Sequence, residues 1–344
     1  MSDPICRDLH RYSLARTPSP LDKIRALSES LGADIFLKRD DCLDELGCGH
    51  KLRSLEYLIP YHQSAGCDCV VTFGSRRSNH TKAVALSCAK VGLEVHVLMG
   101  GDTFKIPSTL HGSCLLTALS GAHMVWCEGI TWHQMQARAN TFCAELVRTN
   151  KKPALIGPEH GIFPGILGFI RLGMELREQL GAPKSPTNII LPVGTGSLAA
   201  GLAVANVIGG FGWNLLGICL TLSQEAALQS IKLIVDSFLQ RSNAPVFTAD
   251  VVLSSLHLFD DIAYRTYDRF DAETLQLCST IFARTGVLFE PNYMLKCYLA
   301  TQKLVLANKL SDCATNVMIH TGGQFSLLDL PVPITPSSTL LNIG

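Results

Sequence analysis

Asn188-Ile189-Ile190-Leu191-Pro192-Val193-Gly194-Thr195-Gly196-Ser197-Leu198-Ala199 sits inside forty residues, Ser185 to Gln224, that contain no Asp, Glu, Lys or Arg. A run this long without charge raises the question of a membrane span. Seven glycines, two prolines and three asparagines interrupt it, so no window of roughly 20 apolar residues survives. It reads instead as a buried strand, a glycine loop, a helix and a second buried strand, Leu215-Leu216-Gly217-Ile218-Cys219-Leu220. Glycines let backbone approach an anion, and a helix N-terminus offers unpaired amides and the positive end of a dipole. Taken alone, the loop matches G-x-G-x-x-A, a dinucleotide fingerprint. The next acidic residue is Glu225, well past the offset of roughly 20 residues that a ribose contact requires. A phosphate other than a nicotinamide dinucleotide's fits better, with a plain helix-on-strand turn as the structural alternative.

Working outward, the same alternation recurs. Asp34–Lys38, Cys69–Phe73, Val95–Met99, Met124–Trp126, Ala154–Ile156 and Asn316–Ile319 read as strands. Lys51 to Gln63 and Asn79 to Val91 carry apolar residues at helical spacing. Apolar strands without polar alternation predict a parallel α/β sheet covered on both faces. Ligands bind at the carboxyl ends of such strands. The loops near 45–51, 74–80, 157–168, 194–198, 290–296 and 320–324 are therefore the places for chemistry.

Composition narrows the partners. The 344 residues are 47% hydrophobic and 17% charged, against roughly 25% charged in an average chain. Lys plus Arg and Asp plus Glu both number 29, so nothing electrostatic favours nucleic acid or an anionic membrane. No basic, apolar leader is evident at Met1-Ser2-Asp3-Pro4, and a soluble cytoplasmic protein is expected. The thirteen cysteines include no C-x-x-C, and Cys67 and Cys69 have the wrong spacing for a zinc knuckle. Reduced, mostly buried thiols and no metal are expected.

Several motifs come in a fixed order. Thr17-Pro18-Ser19-Pro20-Leu21, Ile35-Phe36-Leu37-Lys38-Arg39-Asp40-Asp41 and Gly47-Cys48-Gly49-His50-Lys51-Leu52-Arg53-Ser54-Leu55-Glu56-Tyr57-Leu58 lie in the N-terminal third. Gly74-Ser75-Arg76-Arg77-Ser78-Asn79-His80, the loop at 194–197, Glu290-Pro291-Asn292-Tyr293 and Ile319-His320-Thr321-Gly322-Gly323 follow in register. Together they resemble the 1-aminocyclopropane-1-carboxylate (ACC) deaminase and D-cysteine desulfhydrase family over most of residues 17–330. These are pyridoxal 5'-phosphate (PLP) enzymes of the tryptophan-synthase-β fold, fold type II. The resemblance implies two open parallel-type α/β sheets. A large PLP-binding domain of residues 1–53 and 163–344 would enclose a small α/β domain of residues 54–162. It also implies a homodimer and a small amino-acid substrate.

By that resemblance Lys51 carries the PLP aldehyde, and Lys51, Ser78 and Tyr293 are the catalytic residues. A Lys at a loop–helix junction in an apolar site loses its proton readily and attacks a carbonyl. Asn79 would hydrogen-bond the cofactor's ring hydroxyl, and Ser78 would face the substrate carboxylate. Both would also serve as a helix N-cap pair. Gly194, Thr195, Gly196 and Ser197 would cup the phosphate, and Thr321-Gly322-Gly323 would wall the cofactor. Ser78, Asn79, His80 and Tyr293 are the expected substrate contacts, with Tyr293 otherwise an ordinary half-buried aromatic. Arg76 and Arg77 would recruit a carboxylate or form a solvated basic loop. His50, His160, Phe163, Asn292 and Met294 are candidate pocket walls.

The departures from the family pattern bear on mechanism. His50 replaces an Asn before the lysine, Ser54 replaces a second lysine, and Leu198 replaces a threonine of the phosphate loop. Met294 stands where Glu or Thr would partner the pyridine nitrogen. A sulfur cannot exchange a proton there, and PLP withdraws electrons best when that nitrogen is protonated. Removal of an α-proton followed by loss of a β-substituent is then easier to support than ACC ring opening. The expected reaction is α,β-elimination of D-cysteine desulfhydrase type, giving a keto acid and ammonia. ACC deamination, β-replacement, a PLP-binding protein with altered catalysis and a nicotinamide-dependent oxidoreductase are the alternatives.

Overall fold

The structure is a computed structural model describing residues 10–102, 104–159, 162–182, 185–242, 247–261, 271–310 and 314–329. The uncharged stretch becomes β7 (Thr187–Val193), α7 (Ser197–Gly209) and β8 (Asn214–Cys219). β7 is buried along its whole length, and α7 is buried on nearly every side. Among the described residues no helix is long and apolar enough to cross a membrane.

The larger sheet has six strands. Their order is β1 (Leu21–Lys23), β2 (Ile35–Arg39), β10 (Thr315–His320), β7, β8 and β9 (Leu256–Asp260). Only β1 runs antiparallel to its neighbour. A second, fully parallel sheet is ordered β5 (His123–Cys127), β4 (Glu94–Gly100), β3 (Cys69–Gly74) and β6 (Pro153–Leu155). Alternate residues of β7 serve different cores. Ile189 and Leu191 join one apolar cluster, and Ile190 joins another on the opposite face. That double burial is why the strands lack polar alternation. β1 and β9 escape the sequence reading because they are short, largely half-exposed edge strands.

Helix packing then fixes where the loops sit. α6 (Leu167–Leu180) lies between α2 (Lys51–Ser64) and α7. A side-chain carbon at Gly168 would lie 1.9 Å from the Arg53 carbonyl oxygen, and one at Gly201 would lie 2.2 Å from Phe169 Cβ. Both contacts require the absence of a side chain, and they clamp the lysine helix and the glycine-loop helix to a common partner. Within α2, Pro60 has no N–H to give to the Glu56 carbonyl. That carbonyl instead accepts the Tyr12 amide at 2.9 Å. The Glu56 carboxylate takes the Leu14 and Ala15 amides at 3.0 and 3.1 Å. The N-terminal segment is thereby tied across the helix. All eleven cysteines among the described residues are free thiols, most of them buried. Cys6, Cys313, His160 and the Pro-rich tail from 331 lie outside the described residues.

Candidate active site

The loops at the carboxyl ends of β2, β3, β7 and β10 converge. Gly49, at φ +67°, passes so close to the loop after β10 that a side-chain carbon there would lie 2.1 Å from the Thr321 carbonyl oxygen. The same carbonyl accepts the His50 amide at 3.2 Å and faces His50 Nδ1 at 3.0 Å. The His50 ring is tilted against Phe169. Lys51 opens α2 at this crossing, with part of its surface accessible. Desolvation lowers its amine to about 8. Burial, with the charge of Lys51 adding to it, holds His50 and His80 at about 3. Two neutral imidazoles therefore flank one amine that loses its proton near physiological pH.

The start of α2 is braced by ions. Arg53, two residues beyond Lys51, donates from Nε and Nη2 to both oxygens of Asp40 at 2.7 Å. It also reaches both oxygens of Glu175 on α6 at 2.9 Å. Lys38 donates to Glu175, to the Ser19 carbonyl and to Gln179. Asp41 accepts from Arg39 and Gln324. Lys82 of α3 (Asn79–Lys90) donates to the carbonyls of Leu46 and Gly47, both at 3.0 Å. The Arg39-Asp40-Asp41 motif and Lys82 thus hold the lysine loop. Sequence reading did not find Lys82 or Glu175, because both act across more than thirty residues of chain.

At the N-terminus of α3, Ser78 is buried and its Oγ accepts the Thr81 amide at 3.2 Å. Asn79 faces the loop after β10: a side-chain carbon at Gly323 would lie 2.6 Å from its Nδ2 and 2.8 Å from Glu290 Cγ. Asn79 Oδ1 is buried without a hydrogen-bond partner among the described residues. His80 turns inward, its Nε2 3.1 Å from both Thr72 Oγ1 and the Ile156 carbonyl.

The glycine loop opens α7 as expected. The amides of its first turn have no partner within the helix, and Gly196 supplies no capping side chain. Ser230 on the following helix anchors the loop by donating to the Thr195 carbonyl at 2.8 Å. Thr195 Oγ1 and Ser197 Oγ are 3.4 Å apart. Tyr293 leans over this loop, and a side-chain carbon at Gly194 would lie 3.3 Å from Tyr293 Cε1.

The positions that depart from the family pattern have definite places. Leu198 points into the core beneath α7, Ser54 Oγ donates to the Lys51 carbonyl at 3.0 Å, and Met294 is fully buried. The Met294 sulfur faces the Thr321 amide and hydroxyl at 3.4 and 3.5 Å. Asn292 is buried and Phe163 half-buried.

Glu290 carries the loop that presents Tyr293 and Met294. Its buried carboxylate accepts the amides of Asn292, Tyr293 and Met294 at 2.7, 2.8 and 3.1 Å. Burial still outweighs those donors and pushes it up to about 7. A carboxyl raised on folding stabilises fully below its unfolded pKa and loses that contribution as pH rises through the folded one. The wild-type urea midpoint is therefore expected to fall between pH 5 and 8, and Glu290→Gln to flatten that fall.

These loops lie in a chain whose residues 12–322 match the family model described as "Pyridoxal-phosphate dependent enzyme". The chain belongs to that family. This PLP enzyme is 28% identical over 323 residues to a Pyrococcus abyssi protein provisionally named 1-aminocyclopropane-1-carboxylate deaminase, covering 93% of this chain and 94% of the relative. It is 27% identical over 321 residues to the D-cysteine desulfhydrase of Salmonella paratyphi B, covering 92% and 95%. The crystal structure of an ACC deaminase homologue superposes with a TM-score of 0.80 at 25% identity, covering 94% and 95%. Serine racemase of Dictyostelium discoideum shares the fold, with a TM-score of 0.59 at 18% identity over 89% and 92% of the two chains. Family membership displaces the nicotinamide reading of the 194–199 loop.

The residues of this PLP enzyme fit the cofactor. A desolvated lysine amine suits its aldehyde, and unpaired helix amides suit its phosphate. Asn79 Oδ1, buried and unmatched among the described residues, suits the cofactor's ring hydroxyl. Lys51, Asn79, Gly194, Thr195, Gly196, Ser197 and Thr321 are the residues that would hold it.

Proposed function

We propose that the chain is a lyase that eliminates a β-substituent from a small amino acid and releases a keto acid and ammonia, as a D-cysteine desulfhydrase does. The observation that carries this reading is the Lys51 amine, lowered to about 8 at the crossing of the lysine and β10 loops. The similarity to proteins named for deamination and desulfhydration supports it.

Bound PLP supplies an electron sink for the bond electrons released at the substrate's Cα. Lys51 Nζ would hold the aldehyde between turnovers, and as a neutral amine it would take the α-proton. The capped N-terminus of α3, with Ser78 and Asn79, orients the substrate carboxylate through its amides and hydroxyl. His50 stays neutral and keeps a second cation away from Lys51. Tyr293, which leans over Gly194, would contact the substrate side. His80, directed at Thr72 and Ile156, contributes through the position of α3. In this reading residues 1–53 with 163–344 form the cofactor domain and residues 54–162 the smaller one, with two cytoplasmic copies forming a homodimer.

Met294 distinguishes the substrates. Its sulfur is held by Thr321 and offers the pyridine nitrogen no exchangeable proton, which favours substrates that have an α-proton to lose. Keto-acid release should be measured from D- and L-cysteine, other β-substituted alanines and ACC. Turnover of a β-substituted amino acid and none of ACC is expected. Turnover of ACC would overturn the assignment from Met294, and a yellow protein inert toward all of them would favour altered catalysis.

The amine also sets a pH dependence. Only neutral Lys51 attacks an aldehyde, so PLP capture by cofactor-free protein should accelerate as pH rises and level off above about 8. Stopped-flow absorbance across pH 6 to 10 reads this directly, and a midpoint near the ordinary lysine value of about 10.4 would contradict it.

A further inference from the structure

No metal was expected from spacing along the chain, but strand pairing in the smaller sheet creates a different proximity. β3 and β4 pair in parallel with Cys69 opposite Glu94 and Val71 opposite His96. Residues two apart share a strand face, so Cys69, Glu94 and His96 stand on one side. It is the side covered by α5 (Trp132–Arg148), whose Phe142 meets the His96 ring edge-on at 5.4 Å. A sulfur, a carboxylate oxygen and an imidazole nitrogen from these three residues lie within 4.8 Å of one another. They sit at the amino ends of the strands, while the active-site loops leave the carboxyl ends.

We propose that Cys69, Glu94 and His96 bind one Zn²⁺ ion, with water as the fourth ligand, in a site separate from the PLP site. The donor set argues for the metal: thiolate and imidazole with a single carboxylate select a borderline-soft divalent ion over Mg²⁺ or Ca²⁺. His96 Nε2 is 2.8 Å from one Glu94 oxygen, and Lys151 Nζ is 2.6 Å from the other. The first contact has to open by roughly half an ångström for both atoms to reach metal bonds of about 2.0–2.2 Å in a tetrahedron. The second orients the carboxylate from behind, as outer-shell partners of metal ligands do. His123 stacks on His96 with ring centres 4.8 Å apart and fixes its plane. Cys69 and His96 are largely buried, and the Glu94 side chain, 30% exposed, leaves a path from solvent.

Binding exchanges the Cys69 S–H bond for a Zn–S bond. The thiol proton leaves to solvent, and nothing is oxidised or reduced. The site would tie β3 to β4 where both strands begin.

Calorimetry of Zn²⁺ into chelator-treated, dialysed holoenzyme tests this, in two buffers of different ionisation enthalpy. One site per chain is expected, with release of one proton. Loss of a direct ligand should exceed the roughly 10- to 100-fold cost of an outer-shell change. Cys69→Ser and His96→Gln should therefore each weaken binding by at least about 100-fold, and Lys151→Met by about tenfold. Cys67→Ser, a nearby thiol outside the set, should bind as wild type does. Co²⁺ should give a thiolate charge-transfer absorption that Cys69→Ser lacks. Retained PLP absorbance and keto-acid release would show that the variants are folded. Absence of a one-per-chain site, or equal Zn²⁺ affinity in wild type and His96→Gln, would overturn the proposal.

Discussion

Replacing Lys51 with alanine is expected to reduce keto-acid release by about 10³-fold or more. It should also abolish borohydride trapping of PLP on the protein, read by intact mass. Two roles end together, because the same Nζ holds the aldehyde and takes the α-proton. Lys51→Arg should fail as completely. It keeps the length and charge, but a guanidinium stays protonated and cannot act as base or nucleophile. A merely structural role would predict partial rescue by arginine, so the pair of variants separates chemistry from packing. Stability should move the other way. Burial penalises the Lys51 charge and lowers its amine to about 8, so alanine removes a group that is costly to keep protonated. For a lysine lowered on folding, the unfolded chain binds more protons above the folded value, so stability rises with pH. The advantage of cofactor-free Lys51→Ala over wild type, measured as urea midpoint, should thus narrow as pH rises from about 8 to 10. A variant that remains yellow, trappable and active would refute the assignment.

Arg53→Ala is expected to cost about 3–5 kcal/mol, the usual penalty for breaking a buried ion network by removing one partner. That is a large share of the roughly 5–15 kcal/mol that holds a typical domain together. Arg53 is 2% exposed, and its fork spans Asp40 and Glu175. Without it, Asp40, which is fully buried, is left with the Ser19 hydroxyl and the field of Lys38 among the described residues. Arg53→Lys should recover little, because a point charge cannot meet two carboxylates in a fixed plane. Asp40 and Glu175 are both held low on folding: the Arg53 charge and hydrogen bonds overcome their desolvation. Their contribution is present above the ordinary carboxylate range and is lost as pH falls through the folded values. In Arg53→Ala, unpaired burial should raise Asp40 instead, so the deficit should be smallest in acid and grow as pH rises. Urea midpoints at pH 4 and 7 measure the trend. PLP affinity should fall as well, since Arg53 holds the first turn of α2 on which Lys51 sits. A variant with wild-type midpoint and affinity would show that the network is dispensable.

Much of this architecture was legible from apolar runs. Eight strands follow from short, mostly apolar segments without polar alternation, because a parallel sheet packed on both faces demands them. β1 and β9 were not, since edge strands of three and five residues leave little apolar signal. The helix starts at Lys51 and Asn79 were readable from periodicity alone. The bracing groups were not. Glu175 meets Arg53 from 122 residues away, and Lys82 meets Leu46 from 36. Nothing local marks Lys82 as buried rather than solvated. Glu290 lies in a readable motif, but its rise to about 7 follows from complete burial, which neighbouring residues do not specify.

The sequence by itself determined a parallel α/β protein with a glycine loop at residues 194–197 that opens a helix. Its periodicity and glycine placement encode local geometry, and local geometry needs no distant partner. By its resemblance to the family it also placed Met294 where Glu or Thr is expected. Only the tertiary structure decided what that methionine touches, which carboxylates hold the Lys51 helix, and why Gly168 and Gly201 carry no side chain. It alone placed Cys69 beside Glu94 and His96, twenty-five residues and more along the chain. Those relations depend on strand register and helix contact. Both are set by the burial of apolar faces across the whole chain, at distances where spacing along it carries no signal.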